Sequence, residues 1–176
     1  MKFSKFLIIK LFFIFTSSQF LFNVTKANAA EEIKITYSIF SRTIKVNSLK
    51  TFAQGGNSTK NLKRILRATG SKDKEIRSVL NKNFEIPITI ASKLVNSEIG
   101  NVFLTRLSSI IHTPRADDER TGMLALRASV IQGIKIGNGK INMINFFEGY
   151  PTKTIILDVN ALSKVMNKVE SISELL

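Results

Sequence analysis

The chain has 176 residues, 26 lysines and arginines against 13 aspartates and glutamates, and a formal net charge of +13. It contains no cysteine and a single histidine, which excludes disulfide staples, a lipid-modified cysteine and any two-histidine or thiolate metal site. No phosphate loop, dinucleotide fingerprint or Gly-x-Ser-x-Gly nucleophile elbow occurs, so the usual signatures of nucleotide-binding enzymes and α/β-hydrolases are missing.

The first 29 residues read as an export signal. Lys2 and Lys5 precede the apolar run Phe6 to Phe15, interrupted only by Lys10, and Ala27-Asn28-Ala29 supplies the alternate small residues that a signal peptidase accepts. Cleavage after Ala29 leaves 147 of the 176 residues, and because the lost segment carries four lysines and no acid the net charge falls from +13 to +9. Seven of the 13 phenylalanines leave with it, so the core is expected to be built from Ile, Leu and Val. The mature part, 30–176, is long enough for one domain. It is expected outside the cytoplasm: periplasm, thylakoid lumen or medium. The alternative is an uncleaved anchor, with 6–22 crossing a thin bilayer; a spanning helix usually needs about 20 apolar residues.

Along the mature chain, Ile33, Ile35, Tyr37 and Ile39 alternate with polar residues, and Thr43 to Val46 follows after Phe40-Ser41, which predicts a hairpin. Asn47 is placed to cap a helix carrying Leu49, Phe52 and Ala53 and stopped by Gly55-Gly56. From Ser58, Leu62, Ile65 and Leu66 share one helical face; after Gly70 and a new start at Ser71, Ile76, Val79 and Leu80 do the same. Pro87 suits the first position of the next helix, and Ser97 and Gly100 predict a break before a continuation to Ile111. His112 falls in a loop. Asp117, Asp118 and Glu119 complement the dipole of a helix start, and the helix from Met123 to Ile131 is apolar nearly all round, as befits a central element. A turn at Gly137-Asn138-Gly139 leads to Asn142, a cap for a short helix, with Ile141 and Phe146 as its staple. Thr154 to Val159 reads as a third strand, and a last helix from Asn160 carries Leu162, Val165, Met166 and Val169. The expected fold is α+β and mostly helical, with five to seven helices packed on one side of a small antiparallel sheet made from 33–39, 42–46 and 154–158.

The strongest functional hint is electrostatic. Lys60, Lys63, Arg64, Arg67, Lys72, Lys74 and Arg77, with Lys82 beyond them, face only Asp73 and Glu75 over the same stretch, and such a density draws a domain to anionic surfaces. Export removes nucleic acid as a partner, and no stacking aromatics interleave the charges. An anionic membrane or an acidic protein fits the compartment; a solvated basic face is the plain alternative. No cofactor and no metal are expected, since the acidic trio lacks the ligand spacing of a calcium loop. Arg127, the only charge between Met123 and Gln132, is expected to be buried and paired with a carboxylate or several carbonyls, Glu98, Glu148 and Asp158 being the candidate carboxylates.

The order Ile35-Thr36-Tyr37, Phe40, Ile44 to Val46, Leu49, Phe52, Gly55, Pro87, Leu94, Gly100, Ile110 to Thr113, Leu126-Arg127-Ala128, Ile141, Tyr150-Pro151 and Ile155 to Asp158 resembles a cyanobacterial domain of unknown function, number fourteen hundred. In that family the domain commonly lies after a signal peptide and ahead of an α/β-hydrolase domain. The resemblance implies the accessory module without its enzyme, and hence no catalytic residues to carry over. Two function classes result. One is a non-catalytic exported module that binds a partner protein or an anionic membrane and serves a separately encoded hydrolase; the other is a hydrolytic enzyme with an unrecognised site, for which only His112 with Asp117 or Asp118 can be nominated.

Overall fold

Ile33 and Ile44 face each other across a hairpin, and Ile155 lies beside Ile33 on the other side; all three are buried. That apolar row fixes the register of a four-stranded sheet ordered β2-β1-β6-β4, with β1 Glu32–Tyr37, β2 Phe40–Lys45, β6 Thr154–Asp158 and β4 Ile111–His112. The structure, a computed structural model, describes residues 29–114, 119–162 and 164. Ala27, Asp117, Asp118 and the positions Val165, Met166 and Val169 of the last predicted helix lie outside them.

Two features of the sheet correct the expectation. The third strand runs parallel to β1, with Glu32 opposite Thr154 and Ile35 opposite Leu157, so the sheet is mixed rather than antiparallel. A long helical connection separates β2 from β6 and frees β6 from the reversal that a tight hairpin imposes. The hairpin loop is also two residues earlier than the alternation suggested. Tyr37 pairs with Phe40, so Ser38-Ile39 is the turn, with Ser38 at a φ of 52°, the positive value that two-residue hairpin loops require.

The helices among the described residues are α1 Val46–Ala53, α2 Lys60–Thr69, α3 Asp73–Asn81, α4 Ile88–Val95, α5 Glu98–Ser108, α6 Glu119–Ile136 and α7 Met143–Glu148. Most of their apolar stripes fall where the 3.6-residue period put them: Leu49, Phe52, Leu62, Leu66 and Leu80 are buried and Ile65 and Ile76 partly so, but Val79, expected on the same face as Leu80, is exposed. Their starts shift by a residue or two. Asn47 caps nothing; the helix opens at Val46, whose N–H donates to Glu31 O at 2.9 Å, a bond from the sheet that replaces a side-chain cap. Thr59, not Ser58, accepts from Leu62 N. At α3, Ser71 is not the cap; Lys72 occupies that position, and its N–H donates to the Glu75 carboxylate. Asn142 accepts from Asn145 N at 2.9 Å as expected. At the last helix start Asp158 Oδ1 accepts from Asn160 N and Ala161 N, so the aspartate rather than Asn160 is the cap.

The α4–α5 corner is the break foreseen at Ser97 and Gly100. Ser97 Oγ accepts from Gly100 N at 3.0 Å, and a β-carbon on Gly100 would strike the Leu94 carbonyl. Helix α6 packs against α4, α5, α7 and β4, the central position its composition implied. Strand β5, Lys140–Ile141, pairs with β3, Phe84–Glu85, in a second small sheet, where the Lys140–Glu85 ion pair at 2.7 Å holds the Glu85 carboxyl below its ordinary pKa. The core is not purely aliphatic: Phe52, Phe147 and Tyr150 are buried in it.

Candidate anionic-surface site

Helix α2 buries Leu62 and Leu66 toward the sheet, and Asn61 Nδ2 donates to Thr43 O of β2 at 3.0 Å. Those contacts fix the rotation of the helix. Lys60, Lys63, Arg64 and Arg67, at three- and four-residue spacing on the opposite side, are exposed, and among the described residues none takes part in an ion pair. Lys63 and Arg67 line a shallow concavity of about 420 Å³ together with Gly70 and Ser71. The chain can turn there because Gly70 takes a φ of 66° and lets Ser71 N bond back to Leu66 O.

The rest of the predicted strip is less uniform. Lys72 and Lys74 are exposed, but Asp73 and Glu75, equally exposed, alternate with them and cancel their charge. Arg77 is drawn inward: its guanidinium stacks on the Phe52 ring at 4.0 Å and donates to the carbonyls of Phe52 and Gly56. It satisfies the end of α1 and the loop after it rather than facing solvent. The continuous positive surface is therefore the α2 stripe.

Beside the stripe stands the hairpin tip, which sequence reasoning treated as ordinary strand alternation. Tyr37, Ile39 and Phe40 are 58%, 89% and 62% exposed. A β-branched apolar residue in a two-residue turn, where Gly, Asn or Asp is usual, was the signal that could have marked it. Arg42 of β2 and Arg64 of α2 line one cleft with Tyr37 and Phe40. Cations and exposed aromatic rings thus share one end of the molecule.

A family model described as alpha/beta hydrolase of unknown function, DUF1400, matches residues 29–158. The chain belongs to the DUF1400 family. No curated protein and no solved structure matches it. In this DUF1400 chain the described sheet contains one parallel pair, β1 with β6, unlike the parallel sheet on which an α/β-hydrolase mounts its nucleophile.

The remaining candidates are structural in setting. Arg127 is half-buried and finds uncharged acceptors instead of Glu98, Glu148 or Asp158: Nε donates to Val95 O at 2.9 Å and Nη2 to Asn101 Oδ1 at 2.5 Å. Glu148 instead pairs with Lys50 at 2.7 Å, and Asp158 caps the last helix. His112 lies in β4, not a loop, opposite Ile156, with Nδ1 2.9 Å from Thr113 O; its nominated partners Asp117 and Asp118 are outside the described residues. Among the described residues there is no group of three or more His, Cys, Asp or Glu fit to hold a metal ion, and no helix is long and apolar enough to cross a membrane.

Proposed function

We propose that this chain is an exported, non-catalytic DUF1400 module that associates with an anionic membrane surface. The observation that carries the reading is the juxtaposition of the α2 stripe with the apolar hairpin tip. Cations near a charged leaflet contribute about 1 kcal/mol each before screening, and exposed aromatic and aliphatic side chains next to them enter the headgroup layer. Export supplies the compartment in which lipid is met and nucleic acid is not. The missing nucleophile elbow supports a role beside a hydrolase rather than as one.

Co-sedimentation of the mature chain with vesicles tests this. Binding to anionic vesicles and not to neutral ones is expected at low salt, with steep weakening toward 1 M salt, where the Debye length shrinks to about 3 Å. Lys63→Gln with Arg67→Gln should cost about 2 kcal/mol, or roughly thirtyfold in affinity, and the uncharged Ile39→Ser should weaken binding without changing its salt dependence. Equal binding to both vesicle types, or none to either, overturns the reading.

One observation favours a protein partner as the second reading. Ile90 and Leu94 of α4 and Ile99, Val102 and Phe103 of α5 are all exposed, an apolar face larger than scattered surface residues make. A separately encoded hydrolase is the partner class for this face, by analogy with the order of module and hydrolase domain that the family resemblance implies.

A further inference from the structure

The cleft at the hairpin end has a volume of about 550 Å³, within the roughly 300–1,000 Å³ typical of small-molecule sites. Its origin is legible in the packing. Leu62 and Leu66 of α2 are buried toward the sheet, but farther along the helix the cleft-lining residues are the small Ala68 and Thr69, and the helix stops at Gly70. The strands continue past that point to Tyr37 and Phe40. Ile35 and Ile65 are therefore only partly buried, and the gap between sheet and helix keeps apolar walls.

The polar part of the cleft is as specific as the apolar part. Arg42 and Arg64 both line it. Among the described residues neither guanidinium is in an ion pair, and Arg42 donates only to the adjacent Ser41 carbonyl. Two exposed guanidiniums make the cleft's rim positive, and each presents the planar fork that a carboxylate or phosphate matches. Ser41 lines the cleft as well, whereas the Thr69 hydroxyl is already bonded to Ile65 O within α2.

We infer that the cleft binds one single-chain amphiphile with an anionic head: the hydrocarbon chain against Ile35, Ile65, Ala68 and Phe40, the carboxylate or phosphate between Arg42 and Arg64. This extends the membrane reading from a surface to one molecule and shares Arg64 with it. The test uses monomeric ligand and no vesicles, so either idea can fail while the other stands.

Displacement of cis-parinaric acid fluorescence from the mature chain measures it. Saturable binding of one probe per chain is expected, with dodecanoate and dodecyl phosphate displacing it at least tenfold better than dodecanol. A larger advantage for the phosphate would identify a lysophospholipid-like head, and equal strength a fatty carboxylate, both within the inferred class. Arg42→Gln with Arg64→Gln should erase the preference over the alcohol, and Ala68→Phe should obstruct the cleft and abolish binding. Unchanged binding by folded Ala68→Phe, or equal displacement by the alcohol and the carboxylate, overturns the inference. If Ala68→Phe does not fold, amide shift changes in the wild-type chain on adding dodecanoate decide the matter: they must centre on residues 35–42 and 64–69, and changes centred elsewhere overturn it.

Discussion

Tyr150 is fully buried, its ring edge-on to Phe146 at a centroid distance of 6.4 Å. Its hydroxyl is the one buried side-chain polar atom without a hydrogen-bond partner among the described residues. An unpaired buried hydroxyl costs about 1–3 kcal/mol, so Tyr150→Phe should leave stability unchanged or raise it by up to about that amount. Burial also disfavours the phenolate and pushes the Tyr150 pKa above its ordinary value of 10. Above pH 10 the unfolded chain releases this proton while the folded chain keeps it, so the unfolded state binds fewer protons and stability falls as pH rises. Urea titrations at pH 8 and at successively higher pH above 10 should give wild-type and Tyr150→Phe curves that diverge, the variant losing less. A clear loss of stability in the variant at pH 8 would reveal an acceptor that the hydroxyl uses.

At the scale of elements, the α4–α5 corner is set by two polar devices rather than by apolar packing alone. Ser97 caps α5, and from α6 Arg127 holds the Val95 carbonyl and the Asn101 amide oxygen on either side of the break. Gly100 is what permits the close approach. Alanine is intrinsically the better helix residue by about 1 kcal/mol, yet Gly100→Ala should lower stability by about 1–3 kcal/mol, because its methyl meets the Leu94 carbonyl, which is backbone and has little freedom to move. A higher melting temperature in that variant would mean the corner is open. The break at Ser97 and Gly100 could be read from local chemistry, as could the stripes of α2 and the cap at Asn142. Strand direction could not, since parallel and antiparallel placements of Thr154 to Asp158 present the same alternation. The two-residue strands β3, β4 and β5 are shorter than any periodic signal. Site residues divide the same way: the rotation of α2 follows from its sequence, whereas the inward turn of Arg77 depends on two carbonyls and a ring from α1 and the loop after it, and these meet it only in the folded chain.

In the whole molecule, first and last described strands lie side by side, so the helices between them form one long crossover that closes only when β1 meets β6. The residues that follow the predicted cleavage point belong to this closure. Ala29 is exposed but Ala30 is buried, Glu31 N and Glu32 N both donate to Lys153 O, and Glu31 O accepts from Val46 N. A signal peptidase must hold extended, accessible chain on both sides of the bond it cuts, and in the folded domain the downstream side is engaged by a loop 122 positions away in sequence from Glu31. On the proposed reading as an exported chain cut after Ala29, processing has to precede docking of β1, so that folding starts from a new N-terminus at Ala30. N-terminal sequencing of the exported protein should return Ala30-Glu31-Glu32. Precursor folded in detergent before exposure to signal peptidase should be cut at least tenfold more slowly than precursor presented in denaturant-loosened form, and the gap should narrow when Glu31→Pro removes one of the two N–H groups that donate to Lys153 O. Equal cleavage of folded and loosened wild-type precursor would mean that this end of β1 opens freely. Recovery of membrane-embedded protein still beginning at Met1 would replace the signal with an anchor, attached at the end of β1 beside Lys45 and away from the hairpin tip.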